Sequence, residues 1–501
     1  MEYPFVGYAP DLDPTTPGIM MDCVNVIPSV RGMRSAFSAQ NTTLPALATR
    51  ARGGAAIRRL DDTSRLIIGT QTRLWEAGAS SYTDVSRTAG GTYSCASDQL
   101  WTFAQFGNTT LAAQKADVIQ ASQTGAFANI ASAPRAAIVE TVGQFAFAFD
   151  TNETAYGDSP DRWWCSAIGD HTDWTPAIAT QSATGRLIAG DGKITCGKRF
   201  GERIVAFKRN AMYVGSYTGA PFVWDWQQVQ GNVGCLGKYA AVEVGSSEEP
   251  RMLFMGSDNF YAFDGSRPEP IGNGVRELVF RTLNLRNAQI CSTLHDRGQK
   301  LVYFFYPTGA DPVCNACVVY NYATGRWGRV NLTIETALDF ISPGVTYDDI
   351  GSLYSTYDNM PEVTYDSAIW IAQSMTPAIV DSGQMLKTLD GARSVGYFIT
   401  GYIGSDQVVT TVKRVTPRWI SKPQAASMTS YYKPDLGRPT FNFVAPGQPT
   451  NNEVTDQTTV MNVNRFDLIR RANWHRFLIE WTAGSWEAPG MNIEVKEGGK
   501  E

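Results

Sequence analysis

The feature that most constrains this chain is a repeated unit. "AAIRRLDDTSRLIIGTQTRLWEA" from Ala55, "KITCGKRFGERIVAFKRNAMYVGS" from Lys193, "YAAVEVGSSEEPRMLFMGSDNFYAFDG" from Tyr239 and "AQICSTLHDRGQKLVYFFYP" from Ala288 share one order of events. Each opens with a strand-like run and a polar turn, and one basic residue (Arg65, Arg203, Arg251 or Lys300) then leads directly into an apolar run. In the first three, a second polar turn precedes a run carrying an aromatic: Trp75, Tyr213, or Phe260 with Tyr261. The fourth inserts "PTGADPVCNA" before "CVVYNYATGRWGRV", and looser copies start at Thr92, Ala136 and Gly351. Roughly six or seven units at a spacing of roughly 35 to 60 residues match the period of four-stranded propeller blades. One small twisted sheet cannot cover both its faces, whereas in a closed ring every sheet is covered by its neighbours. The expectation is an all-β protein whose residues 51–390 form a β-propeller of six or seven blades.

The repeat also decides how to read the most polar of these stretches. Asp258 and Asp264 stand close enough in sequence to suggest paired carboxylates for acid/base work. Both, however, fall where sister units place turn residues such as Gln71 and Asn210, and Asp264-Gly265 between apolar runs is a hairpin signal. Architecture recurs and active sites do not, so these aspartates read as turns.

Composition agrees with short strands joined by tight turns: 46 Gly, 13 Trp, 21 Tyr and 23 Phe in 501 residues, with no long helix-period run. The 43 basic and 48 acidic residues give a net charge of −5, which removes the broad positive field that nucleic-acid binders use to gather phosphates. The start, "MEYPFVGYAPDLDPTTPG", lacks a basic region followed by an apolar one, and no stretch approaches the ~18 apolar residues of a membrane helix. The expectation is a soluble protein without a membrane segment. Eight scattered cysteines read as buried thiols of a reducing compartment, so the Asn-x-Thr triplets at Asn41, Asn108, Asn152 and Asn331 carry little weight as glycosylation sites.

The two ends differ from the repeats. Residues 1–50 carry prolines at 10, 14, 17 and 28, which favour extended backbone, and read as an N-terminal arm ordered by docking on the propeller edge or on a neighbouring subunit. Residues 391–501 read as a second, sandwich-like β domain of longer strands, with a hairpin turn expected near Ala472-Asn473.

The usual catalytic constellations do not assemble. His171 in "IGDHTDWTP" sits beside Asp170 and Asp173 but in a turn; His295 occupies the first turn of a unit and His475 a strand. "GSYTG" from Gly215 misplaces the serine of a nucleophile elbow, and "GRLIAGDGKIT" from Gly185 fails the phosphate-loop register at Asp191 and Ile194. Cys314 and Cys317 have the spacing of half a zinc site without a second pair. Arg470-Arg471, next to Trp474 and His475, read as solvated arginines at a hairpin tip in preference to a phosphate or acidic-partner contact. No catalytic, cofactor-binding or metal-binding residue is expected.

Four stretches together, "DLDPTTPGIMMDCVNVIPSVRGMRSA", "DRWWCSAIGDHTDW", "MGSDNFYAFDGSRPEPIGNGVRELVF" and "RFDLIRRANWHRFLIEW", resemble the tail nozzle proteins (tail tubular protein B, or tail hub proteins) of short-tailed bacteriophages. The resemblance touches both ends and the middle of the chain; it lies in the ensemble and not in any one motif. It implies a propeller with additional β domains, assembled as a homohexameric ring in the distal tube of the tail, below an adaptor ring and the portal. It further implies contacts with the tail adaptor and with tail fibres, spikes or a needle, and genomic DNA retained and then released through the lumen without specific binding. The implied location is the virion tail, with the host cytoplasm during assembly. Two other readings stay open: a propeller-based glycan- or receptor-binding module, and a glycan hydrolase, for which the Asp-box form S-x-D-x-G-x-T-W is not present.

Overall fold

The computed structural model describes residues 1–341, 356, 375–433 and 454–497, apart from positions 62, 247 and 248. Seven antiparallel sheets follow one another along the chain, and the first strand of each packs beside the first strand of the next until the seventh meets the first. The molecule contains a seven-bladed β-propeller. Its inner strands are Gly54–Arg58, Thr102–Phe106, Arg135–Val142, Cys196–Phe200, Ala241–Gly245, Ser292–Asp296 and Ile334–Ile341. The units expected from Ala55, Thr92, Ala136, Lys193, Tyr239 and Ala288 correspond to blades 1 to 6. The unit expected from Gly351 lies outside the described residues; the seventh blade opens earlier, at Ile334.

The second strands explain why the pattern was readable. Ser64–Gly69, Arg203–Phe207, Pro250–Met255 and Leu301–Tyr306 are the β-branched and aromatic runs of the repeat, buried along nearly their whole length because a neighbouring blade covers each face. Phe207 of blade 4 and Phe254 of blade 5, both fully buried, meet with ring centroids 4.9 Å apart. Burying one such side chain stabilises by roughly 1.5–3 kcal/mol, and clusters of buried apolar side chains fill the blade boundaries.

The basic residue that opens the second strand has a recurrent job. Arg65 of blade 1 forks onto Glu76 of its own blade (Nε–Oε1 2.7 Å, Nη2–Oε2 2.9 Å) and donates to Ser122 Oγ and Gly125 O at the outer turn of blade 2. Arg203 of blade 4 lies over Phe200 and approaches the outer turn of blade 5 so closely that a Cβ on Gly265 would stand 2.7 Å from its Nη2. Gly265 also has φ +105°, so the backbone favours glycine there. In blade 3 the position is Phe145, which packs on Tyr217 and Trp224 of blade 4. The first hairpin of one blade thus clasps the last turn of the next, by charge or by ring.

Both chain ends are woven into this ring. Gln40–Asn41 forms the outer strand of blade 7 by pairing with Leu386–Thr388, and Leu44, Leu47 and Ala51 fill the seam between blades 7 and 1. Val26–Pro28 and Met33–Ser35 extend blade 6 beyond its fourth strand, Arg326–Val330, and Glu487–Ala488 adds to them from the C-terminal region. One sheet therefore runs from the propeller centre out to the second β unit.

That second unit is a sandwich built from both termini. One sheet pairs Glu2–Pro4, Gly490–Glu497, Thr410–Pro417 and Phe466–Ala472; the other orders Gly7–Tyr8, Ile19–Val24, Gly396–Thr400, Trp474–Ala483, Ala425–Lys433 and Val454–Val460. Phe5, Phe398, Trp481 and Trp486 stack edge to face between the sheets, continuous with the core of blades 4 to 6. The hairpin expected at Ala472-Asn473 is not one. Phe466–Ala472 pairs with Thr410–Pro417 and Trp474–Ala483 with strands of the opposite sheet, so the chain switches sheets at Asn473. Arg470 and Arg471 consequently lie on an edge strand. Among the described residues one α-helix, Arg276–Thr282, interrupts the β pattern after blade 5; nothing in "RELVFRT" marks it as helical within the repeat. No helix among the described residues is long and apolar enough to cross a membrane.

Candidate functional site: the channel mouth

The residues singled out in the sequence do not converge. Gln71, Asn210 and Asp258 occupy the same loop, between second and third strands, in blades 1, 4 and 5. Asp258 Oδ1 accepts from Tyr261 Oη at 2.8 Å, while Asp264, one loop further on, accepts from both the N–H and the hydroxyl of Ser266 (2.9 and 2.6 Å). Those two bonds hold the Asp264 carboxyl below its ordinary pKa, the signature of an Asx turn.

His171 packs on Phe106 of blade 2 at 5.4 Å, and its carbonyl accepts from the fully buried Trp174 indole. Its pKa is lowered by burial, against the opposing pull of Asp170. His295 lies within the inner strand of blade 6, just before the turn in which it was expected; burial and then Arg297 push it down to about 4. His475 is buried against Thr410, and burial lowers it too. Cys314 and Cys317 are buried with thiols pushed up by desolvation, Cys314 to about 12, and no group of three metal-ligating side chains gathers among the described residues.

A different set of residues meets at the centre of the ring. The stretches that lead into the inner strands of blades 2, 4, 5 and 6 converge on one mouth of the channel. Tyr239, leading into blade 5, sends its hydroxyl across to the Trp101 carbonyl of blade 2 at 2.5 Å, and a Cβ on Gly53 of blade 1 would stand 3.2 Å from the same oxygen. Its neighbour Lys238 donates to Leu100 O at 2.9 Å and approaches Gln99 Oε1 at 3.5 Å, also from blade 5 to blade 2. Thr293 of blade 6 anchors the Tyr239 carbonyl with its N–H (2.7 Å) and hydroxyl (2.9 Å). Blades 5 and 2 are not neighbours in a seven-membered ring. These side chains therefore bridge the ring at this mouth of the channel.

Charges line the plug. Lys198 sits 5.6 Å over the Tyr239 ring and 3.9 Å from Glu140, whose carboxyl is raised by burial. Lys115 reaches Asp150 at 2.6 Å and Asp158 at 2.7 Å. Lys238 has only neutral hydrogen-bond partners, and desolvation lowers its amine to about 8. A small cavity bordered by Asp98, Gln99, Asp150, Lys193, Lys238 and Gln289 measures about 20 Å³. That is room for one water. The arrangement ties blades 2, 5 and 6 together across the ring. Tyr239 and Lys238 were passed over in the sequence; the one available signal is two long side chains immediately before an inner strand.

No family model and no curated protein matches the chain. Among solved structures it is similar to YCF48 bound to a D1 peptide (11% identity, TM-score 0.37, covering 73% of this chain and 96% of that one). It is also similar to the computationally designed Ika8 protein (9%, 0.34, 70% and 100%) and to the N-terminal domain of Nup159 (9%, 0.30, 50% and 72%). None of these likenesses bears on function.

Proposed function

We propose that this chain is a non-enzymatic structural protein of a virion, a component of the distal tube of a short bacteriophage tail that copies of itself complete as a ring. The resemblance noted in the sequence supplies the role, the sixfold number and the tail adaptor as neighbour. The observation that sharpens the reading is the bridged channel mouth: with Tyr239 and Lys238 joining blades 5 and 2 across it, a conduit for DNA in this reading runs between copies of the chain and not through any one propeller. A rigid building block suits that use, and the sheet running from blade 6 into the sandwich makes propeller and sandwich one body.

A lumen that passes DNA must not hold it. Each phosphate neutralised by Lys or Arg gains affinity through counterion release, so a basic wall would stall a duplex carrying about one charge per 1.7 Å. Each copy brings a net charge of −5. At a Debye length of about 8 Å in physiological salt, such a wall repels weakly and leaves contacts to isolated basic residues. Imaging of the assembled protein, paired with a duplex-binding titration across salt, tests this. The expected result is a sixfold ring with an open lumen and weak, salt-insensitive binding. A monomer at all concentrations, or tight binding with a steep salt slope, overturns it.

A further inference from the structure

A second cavity among the described residues lies away from the channel. A groove of about 840 Å³ lies between the N-terminal arm, the second-to-third strand turn of blade 5 and the helix Arg276–Thr282. This volume falls in the range of small-molecule sites, roughly 300–1,000 Å³. Its walls are firm. Asp11 of the arm accepts from the N–H groups of Glu277 (2.6 Å) and Leu278 (3.0 Å), tying arm to helix. Arg276 donates to the Asp258 carbonyl at 2.9 Å, tying helix to turn. Asn259 Oδ1 accepts from Phe260 N–H, and a Cβ on Gly272 would stand 2.2 Å from that oxygen, so the far wall is fixed against the turn.

We propose that this groove binds a neutral oligosaccharide. The groups spent on holding the walls leave a specific chemistry facing inward: the amide N–H₂ of Asn259, the exposed side chains of Asn273 and Glu277, the hydroxyl of Ser257, and Phe280 as an apolar wall. Amides, a carboxylate and a hydroxyl beside an aromatic ring match a ligand that carries dense hydroxyls on one side and a C–H face on the other. Charge argues for a neutral one. The groove is bordered by three carboxylates (Asp11, Asp258, Glu277) and two guanidinium groups (Arg276, Arg281), so no excess positive field gathers an anion. Arg276 is further occupied by Asp258 at 3.8 Å. The proposal goes beyond the structural role above and stands or falls separately from it.

Saturation-transfer NMR and calorimetry on the full chain with maltohexaose, cellohexaose and mannohexaose test it. The expected result is binding of at least one, unchanged between low and physiological salt, and weakened about tenfold or more when Asn273→Ala and Glu277→Gln are combined, the scale of roughly one lost hydrogen bond. Ser257→Arg, which places a long side chain at the turn wall of the groove, should abolish the same signal while the melt stays at the parent value. Absence of binding by all three sugars, binding that survives both variants, or preference for heparin or a peptide pool overturns the proposal.

Discussion

The blades and the sandwich are both antiparallel β structure, yet they are made from opposite kinds of sequence information. In blade 4, Cys196 pairs with Phe207 and Met212 with Val229, so every ladder closes over a short loop. In the sandwich, Glu2 pairs with Asn492 and Met20 with Thr400, partners at opposite ends of the chain. A short hairpin costs little closure entropy and forms from local signals alone; a ladder between the termini forms only after everything between them has been placed. The blades therefore carry their own instructions, and the sandwich takes its instructions from the finished ring.

The largest effect should come from removing what joins the two. Deleting residues 1–41 strips strands from both sandwich sheets, the two added strands from blade 6 and the outer strand from blade 7. The expected outcome is loss of the cooperative thermal transition with the sandwich proteolysed first; an unaltered melt would show that the arm merely decorates a ring that closes alone. Next in size are the cores. Trp486→Ala and Phe254→Ala each empty a fully buried site and should cost about 3–5 kcal/mol. If the two units are one body, both variants lower a single transition, whereas separate transitions for sandwich and ring would break the comparison in favour of independent domains.

Smaller, and specific to the ring, is the clasp. Arg65 is almost wholly buried and its loss leaves the Glu76 carboxylate without its ion pair and removes the bridge to Ser122 and Gly125, so Arg65→Met should cost about 3 kcal/mol. Glu76 keeps some solvent contact, so Glu76→Gln should cost less; equal costs, measured by urea melts, would mean the bridge to blade 2 contributes nothing. At the channel mouth the readout is pH. The folded chain releases the Lys238 proton near 8 while the unfolded chain keeps it to about 10.5, so between those values the unfolded state binds more protons and stability rises with pH. Below 8 both states are protonated and the cost is constant. Melts of the parent from about pH 7.5 to 9.5 should therefore climb relative to Lys238→Met, and parallel curves would show that the amine is not desolvated.

Legibility followed the same divide. Arg65, Arg203, Arg251 and Lys300 recur because each lies at or next to the start of a second strand, and the turn residues between them recur because every hairpin needs local hydrogen bonds. Blade 7 is hard to read from the sequence because its fourth strand is Gln40–Asn41, far from the other three, so no contiguous unit exists to be recognised. The sheet switch at Asn473 read as a hairpin because a tight turn and a corner between sheets use the same residues; only the pairing partners separate them. Tyr239 and Lys238 were invisible for a related reason: their partners Trp101 and Leu100 are more than a hundred residues away, and nothing local marks a side chain that crosses a channel.

The smallest effect is expected where the sequence looked most like chemistry. Asp264 makes its two hydrogen bonds to Ser266, two residues away, in an exposed turn of blade 5. Asp264→Ala removes that local clasp but leaves Gly265, the residue whose positive φ the turn requires, and it leaves the Arg203 approach to that glycine intact. The cost should be about 1 kcal/mol or less, since the lost bonds are solvent-exposed and water replaces them. Gly265→Ala inverts the design: it keeps the carboxylate and breaks the backbone and the close contact, so it should cost more than Asp264→Ala despite touching no charge. The pair of melts ranks architecture against chemistry at one turn. A larger loss for Asp264→Ala than for Gly265→Ala would return this stretch to the list of candidate sites and weaken the reading of the blades as locally specified structure.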